Sequence, residues 1–299
     1  MKIISYCIFG KEQYYKHGVR RNIYLAKRLF PGWTIRLYAE KDTQDDLIAE
    51  FSNINGVEVI IKTQNFPQDG VHWRMLPMEE GHDVVIVRDV DTTLIQRDVA
   101  LVDDWLKSPY QYSVGRDEPG MKSVIMAGIW GAKNPCLDIT SMWNRFYKKR
   151  SPIDFNDQKF LEKLVYPLIR NDLVVYSEFN VYEGESCIRK IPCKLEKDND
   201  GLYQVIGMRV FEDISDEDDN LNSIIDINLT RKMESGREAV KWFNDRYDNS
   251  HIVIRKPRYK YNNILKNEVY WLCSNLFDKG FSYFFQVISN KSKYFSSKF

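Results

Sequence analysis

Up to Val87 the chain alternates between two hydrophobic periods, and this alternation limits its fold more than any other feature of the sequence. Short, nearly unbroken apolar runs at Ile3–Phe9, in WTIRLYAE, at Val57–Lys62 and in DVVIVRD have the length of strands. Between the first two, Val19, Ile23, Ala26 and Phe30 recur at helical spacing until PGW stops them. Shorter helices are expected at Asp45–Phe51 and near Val71–Glu80. Strands apolar on both faces, in the order βαβαβαβ, imply a parallel sheet covered on both sides. In such sheets ligands bind beyond the carboxyl ends of the strands.

The fourth run ends in VVIVRDVDTTL, Val84–Leu94, which sends two carboxylates out of such an end. In a strand, residues i and i+2 share a face, so Asp89 and Asp91 are expected side by side. Two like charges that close repel, and a carboxylate is costly to desolvate, so the pair asks for a cation. That cation is a metal ion, a Lys or an Arg, or the pair is simply solvated. Arg88 faces the other way and is free to pair with an acid in the core.

Further on, DVALVDDWLKS reads as a helix with Asp98 as its cap, QYSVGRD and SVIMAGIWGAK as strands, and LVVYSEF as another. NPCLDITSMWNRFYKK and NDQKFLEKLVY read as helices. From about Glu183 to Ser235 the pattern weakens. One or two helices are expected, near Asn262–Phe277 and Phe281–Ile288.

The 299 residues and 43% hydrophobic content are ample for one large core with a small appendage. A net charge of +1 gives no hint of nucleic acid. Five cysteines, an odd number with no C-x-x-C, speak against a disulfide framework or a structural zinc site and for a reducing cytosol. The opening MKIISYCIFGKE is too short a run for a signal peptide, and no run approaches the roughly 20 residues of a membrane span. Residues 251–299 differ from the rest, with nine Lys and Arg against two acids, a local +7, and twelve aromatics. Such a stretch suits an anionic membrane surface, or a helical pair packed back on the domain. The expected division is 1–235 for the main domain and 236–299 for a basic, aromatic, helical extension.

Two enzyme classes carry D-x-D at the end of a parallel strand. VVIVRDVDTTL fits the first motif of haloacid-dehalogenase-like phosphatases, with Asp89 as nucleophile. Those enzymes usually open with that strand, whereas here three strand–helix units precede it. The order SYCIFG, GVRRNIYLAKRLFPGW, WRM, RDVDTTL, DDWL, GRD, MAGIWGAK and NDQKFLEKLVYP, from Met1 to about Phe179, resembles GT-A-fold glycosyltransferases of surface-polysaccharide gene clusters. The order is also similar to that of the glycogenin-like and lipopolysaccharide galactosyltransferase families.

The resemblance implies an α/β, GT-A-like (Rossmann-like) fold with a mixed, mostly parallel sheet flanked by helices. It implies transfer of a sugar from a nucleoside-diphosphate sugar to a hydroxyl of a glycan acceptor, with a lipid-linked acceptor as an option. Mn²⁺ or Mg²⁺ would be held by Asp89 and Asp91. Ser5, Tyr6, Phe9 and Gly10 would meet the base and ribose, Arg74 and Asp89 the diphosphate, and Arg116 and Asp117 the sugar hydroxyls. Ala127 and Gly128 would be small so that the donor can approach, and Trp130 would stack on a sugar or lie in the core. Asp157, with Gln158 beside it, would be the catalytic carboxylate, as general base or as stabiliser of an oxocarbenium-like state. Where relatives carry His-Asp, this chain has Ser177 and Glu178, which leaves Glu178 or the remote His251 as a third metal ligand. The compartment implied is the cytoplasm, with contact at the inner face of a membrane as an option. A carbohydrate- or nucleotide-binding protein without turnover is the remaining alternative.

Overall fold

The computed structural model describes residues 1–10, 13–41, 43–66, 68–148, 157–199, 201–208 and 237–257. The helices expected near 262–277 and 281–288, with the rest of the chain beyond Pro257, lie outside these. Among the described residues, eight strands form one sheet: β1 (Lys2–Ile8), β2 (Thr34–Glu40), β3 (Val57–Lys62), β4 (Val84–Val87), β5 (Tyr112–Arg116), β6 (Trp130–Lys133), β7 (Leu173–Ser177) and β9 (Cys187–Arg189). Their spatial order is β3-β2-β1-β4-β6-β5-β7-β9. Every pair is parallel except those made by β6, which runs against both β4 and β5. One reversed strand between two others leaves β1, β4, β5 and β7 pointing the same way, so their carboxyl ends share an edge. The mixed, mostly parallel α/β fold expected from the sequence is the fold formed.

Successive residues Ile3 to Ile8 of β1 are all buried, which requires cover on both faces. In α1 (Gln13–Leu29) the stripe Val19, Ile23 and Ala26 is buried, and Phe30 continues it past the helix end. The helix α2 (Asp45–Phe51) likewise buries Leu47 and Phe51.

Four local expectations change. The helix expected near Val71–Glu80 is a 3₁₀ helix, Asp69–Glu79, with nearly every residue buried and Pro77 inside it. Pro77 gives no backbone N–H to an i→i−4 ladder. Of SVIMAGIWGAK only Trp130–Lys133 is strand. The carbonyls of Ser123 and Val124 accept from the Arg116 guanidinium instead of from a neighbouring strand. Asp98 is not the cap of α3 (Gln96–Lys107) but lies in its first turn, where it accepts from the N–H of Ile95 at 3.1 Å. The helix in NDQKFLEKLVY is broken into α5 (Asp157–Phe160), a π turn at Leu161–Val165 and α6 (Tyr166–Ile169), where Pro167 lacks an N–H. The helix α4 (Ile139–Lys148) forms within NPCLDITSMWNRFYKK as expected.

A second, two-stranded sheet joins β8 (Asn180–Tyr182) to β10 (Val253–Arg255) in parallel. The helix Arg237–Asp248 and β10 belong to the compact unit Met1–Pro257. The expected boundary at residue 235 falls among residues that are not described. Among the described residues, Cys7, Cys136, Cys187 and Cys193 form no disulfide with one another. No helix among the described residues is long and apolar enough to cross a membrane.

Candidate active site

The D-x-D segment begins where β4 stops. The N–H of Arg88 donates to Ser5 O at 3.1 Å, the last link to β1. Its side chain turns into the core, where Nε donates to Asp98 Oδ1 at 3.1 Å. Burial pushes the Asp98 carboxyl above its usual range, and Arg88 opposes that push. Asp89, Val90 and Asp91 then leave the strand. Val90 and Asp91 form a turn in which the Thr92 hydroxyl donates to Asp89 O at 3.0 Å. Strand alternation therefore does not place the two carboxylates, which corrects the reading from spacing.

What fixes this turn is α1. Asn22, 1% exposed, donates through Nδ2 to Val90 O at 3.1 Å and to Thr92 O at 2.6 Å. Its Oδ1 accepts from the N–H of Leu94 at 3.1 Å. One turn earlier in the same helix, a Cβ on Gly18 would lie 2.0 Å from Val90 O, so only glycine lets the helix approach the loop. Neither residue is singled out by the motif. The signal available was an Asn beside Ile23, on a face otherwise committed to the core.

The node of the site is Arg74. It projects from the 3₁₀ helix with its side chain 10% exposed. Its Nη2 lies 2.9 Å from Asp89 Oδ1 and 2.6 Å from Asp157 Oδ2, and Nη1 donates to Cys7 Sγ at 3.5 Å. One guanidinium thus bridges carboxylates that are 68 residues apart in the chain. Burial disfavours its charge, but Asp89, Cys7 and Asp157 outweigh that and hold it firmly protonated. Burial pushes the Asp157 carboxyl up; Arg74 pulls it down and the Asp89 charge pushes it up again, with a net rise. Burial likewise raises the Cys7 thiol against the pull of Arg74.

Three neighbours hold these groups. Asp157 Oδ1 accepts from the N–H of Gln158 at 2.7 Å, and the Ser123 hydroxyl meets Gln158 Oε1. A Cβ on Gly128 would stand 2.1 Å from Asp89 Oδ2 and 2.5 Å from its Cγ. The Asp89 carboxylate occupies the space that any larger residue at 128 would fill. Asp89 and Asp157 keep 32% and 19% of their side chains exposed, so the cluster opens to solvent.

The other expected site residues lie at various depths. Ser5 and Tyr6 are within β1 and buried, and among the described residues Ser5 Oγ and Tyr6 Oη have no hydrogen-bond partner. Phe9 packs over Gly70, where a Cβ would lie 2.4 Å from its ring, and meets Trp73 edge-on at 6.2 Å. Gly10 (φ 82°) donates its N–H to Glu40 Oε2 at 2.9 Å and accepts from Gln44 Nε2 at 2.6 Å. Ala127 and Asp91 are buried.

Arg116 and Asp117 pair with other residues than each other. Arg116 is fully buried against Glu185, with Nη2–Oε1 at 2.6 Å. Asp117 takes both arms of Arg97 at 2.7 Å and the N–H of Ile206 at 2.9 Å. Burial raises the Asp117 carboxyl, with Arg97 opposing. Trp130 is buried in β6. Glu178 accepts from Lys190 Nζ at 2.9 Å, and His251 lines a cavity beside β10. Among the described residues no three His, Cys, Asp or Glu side chains cluster to hold a metal.

No protein-family model and no curated protein matches the chain. Among solved structures, an active-site mutant of LgtC aligns with a TM-score of 0.42 at 14% identity, over 61% of this chain and 75% of that one. A glycosyltransferase involved in glycosylation of the major capsid of PBCV-1 aligns at 0.41 and 12%, over 64% and 93%. A 4-diphosphocytidyl-2C-methyl-D-erythritol synthase from Anaerococcus prevotii aligns at 0.38 and 10%, over 62% and 90%.

Proposed function

We propose that the chain is a glycosyltransferase that moves a sugar from a nucleoside-diphosphate sugar to a hydroxyl of a glycan acceptor. The observation that carries this reading is the Arg74 bridge between Asp89 and Asp157 at the carboxyl edge of the sheet. A departing diphosphate gathers negative charge, and a fixed, desolvated guanidinium facing it is an effective stabiliser. Asp157, turned to the same point with a raised carboxyl, then either takes the acceptor proton or steadies positive charge at the reacting carbon. Arg74 orients it for either role.

Asp89 and Asp91 are hard oxygen donors of the kind Mn²⁺ and Mg²⁺ take, and the Asp89 side chain keeps 32% of its surface exposed. With two carboxylates only, the other ligands of such an ion would be diphosphate oxygens and water. When bound, it would neutralise charge on the leaving nucleoside diphosphate. Ser5, Tyr6, Phe9, Gly10 and Gln158 belong to the donor side of this proposal.

The test is donor hydrolysis. Nucleotide sugars with Mn²⁺ should release nucleoside diphosphate. Release of inorganic phosphate from a phosphomonoester instead would favour the phosphatase reading, and nucleotide binding without turnover would favour a binding protein. We further propose cytoplasmic action on a lipid-linked acceptor, with residues 251–299 touching anionic lipid through their +7 charge. Co-sedimentation with anionic vesicles that fades in high salt would support it, and indifference to vesicles at low salt would refute it.

A further inference from the structure

We propose that two copies of this chain join edge to edge through β3, in an antiparallel pairing with its two-fold axis at Ile60. The inference is independent of the reaction and rests on the strand itself. The strand β3 ends the eight-stranded sheet, and among the described residues no strand pairs with its outer side. At the opposite edge β9 is only three residues long. Short edge strands, prolines, bulges and inward-pointing charges are the usual guards against pairing with another chain. By contrast β3 has six residues, no proline, and Val59, Ile60 and Ile61 in a row. Ile60 is 37% and Ile61 54% exposed.

The hydrogen bonds to β2 fix which backbone groups face outward. The N–H of Ile35 donates to Gly56 O at 2.9 Å, and that of Lys41 to Lys62 O at 2.7 Å. With Ile35 opposite Val57 and Glu40 opposite Lys62, the even-numbered residues of β3 turn their backbone groups to β2. Val59 and Ile61 therefore present N–H and C=O away from the sheet, where an antiparallel partner meets them.

An axis at Ile60 pairs Val59 with Ile61 of the second copy and Ile61 with its Val59. Each such pair exchanges N–H···O bonds, and Ile60 meets Ile60 in the closer, non-hydrogen-bonded position between them. Glu58, Ile60 and Lys62 share one face of the strand, so opposite charges flank the isoleucine at equal distance. The two-fold then sets Glu58 against Lys62 at both ends of the pairing. Moving the axis to Val59 or to Ile61 sets one of these charges against Ile60 instead. Glu58 holds Arg36 at 2.7 Å with 37% of its side chain still exposed, which leaves room for the lysine. The contact is one strand pair rather than a standard interface of about 1,600 Å², so its dissociation constant should be on the order of 10–100 μM.

The test is sedimentation velocity of the full chain over a concentration series, in which the parent should pass from monomer to dimer. Lys62→Glu sets carboxylate against carboxylate at both ends, and Glu58→Lys sets ammonium against ammonium. Each should weaken the dimer at least tenfold. An equimolar mixture of the two variants restores opposite charges at both ends and should dimerise as the parent does, which no other contact between copies would give. If Glu58→Lys loses its fold with the Arg36 pair, Ile60→Lys takes its place: it sets lysine against lysine at the axis and should abolish the dimer. A parent still monomeric at about 1 mM, a dimer that Lys62→Glu and Ile60→Lys leave intact, or a mixture of folded variants that associates no better than either alone would overturn the proposal.

Discussion

Gly128→Ala isolates the geometry of the site in one methyl group. The added Cβ would meet Asp89 Oδ2 at 2.1 Å and Cγ at 2.5 Å, and the Asp89 backbone N at 3.0 Å. The first two contacts are with a side chain that can rotate away, but only by leaving Arg74 Nη2, now 2.9 Å away. The third is with backbone and yields less. Overpacking of this kind costs about 1–3 kcal/mol. For a unit of this size, that lowers Tm by roughly 2–10 °C. Asp89→Ala removes the side-chain clash and leaves the backbone one, so most of the cost of Gly128→Ala should vanish in that background. A double-mutant cycle by thermal denaturation, without nucleotide or metal, should return a coupling of about 1–2 kcal/mol. Donor turnover should fall in Gly128→Ala even where the protein is folded. Equal destabilisation in both backgrounds would show that residue 128 is small for another reason, such as the approach of the donor itself.

Asn22→Ala should cost about 2–4 kcal/mol in denaturant melts, because three buried backbone groups of the D-x-D turn lose their partner. A loss under 1 kcal/mol would mean that the turn holds itself. Arg74→Gln removes the pull that opposes burial at Asp157, so the acidic limb of the pH–rate profile should move to higher pH. An unmoved limb would take Asp157 out of the titration. With its folded value above the unfolded one, Asp157 binds its proton more tightly when folded, so its contribution to stability is lost as pH rises through that interval. Asp157→Asn should abolish that loss and lower turnover while leaving nucleoside-diphosphate affinity near that of the parent; weakened affinity with unchanged turnover would place Asp157 on the donor instead.

The sheet was legible because its strands are short, apolar and separated by helical stripes, which few other folds tolerate. The buried pairing of Arg88 followed from alternation at the strand end, and Asp98 is its partner. The turn at Asp89–Asp91 was not legible. Its shape comes from Asn22 and Gly18, about seventy residues earlier, and no local spacing carries that contact. A helix was legible near Val71–Glu80, but its 3₁₀ type was not, for a related reason. A run buried on every side shows no period, yet its tertiary position is what aims Arg74. Arg116 and Asp117 read as a polar turn pair because they are adjacent. The structure sends them to Glu185 and Arg97, partners that burial selects and sequence distance hides.

The question posed by two carboxylates at a strand end has an answer in charge. Arg74 supplies one positive charge against Asp89 and Asp157, so this cluster is net negative before Asp91 is counted. A nucleoside diphosphate adds more negative charge at the same edge. Arg74 cannot serve both carboxylates and the diphosphate equally, so donor binding asks for a further cation or for fewer carboxylates. Asp89→Asn separates these. In Mn²⁺ it should weaken nucleoside-diphosphate binding, because a ligand of the ion is gone. In EDTA it should strengthen binding several-fold over the parent, because one repelling charge is removed and Arg74 is released towards the phosphates. The measurement is calorimetric titration of the nucleotide in both conditions. Binding by the parent that EDTA does not weaken, or a variant weaker in both conditions, would mean that Arg74 alone meets the diphosphate and that Asp89 is there to hold Arg74.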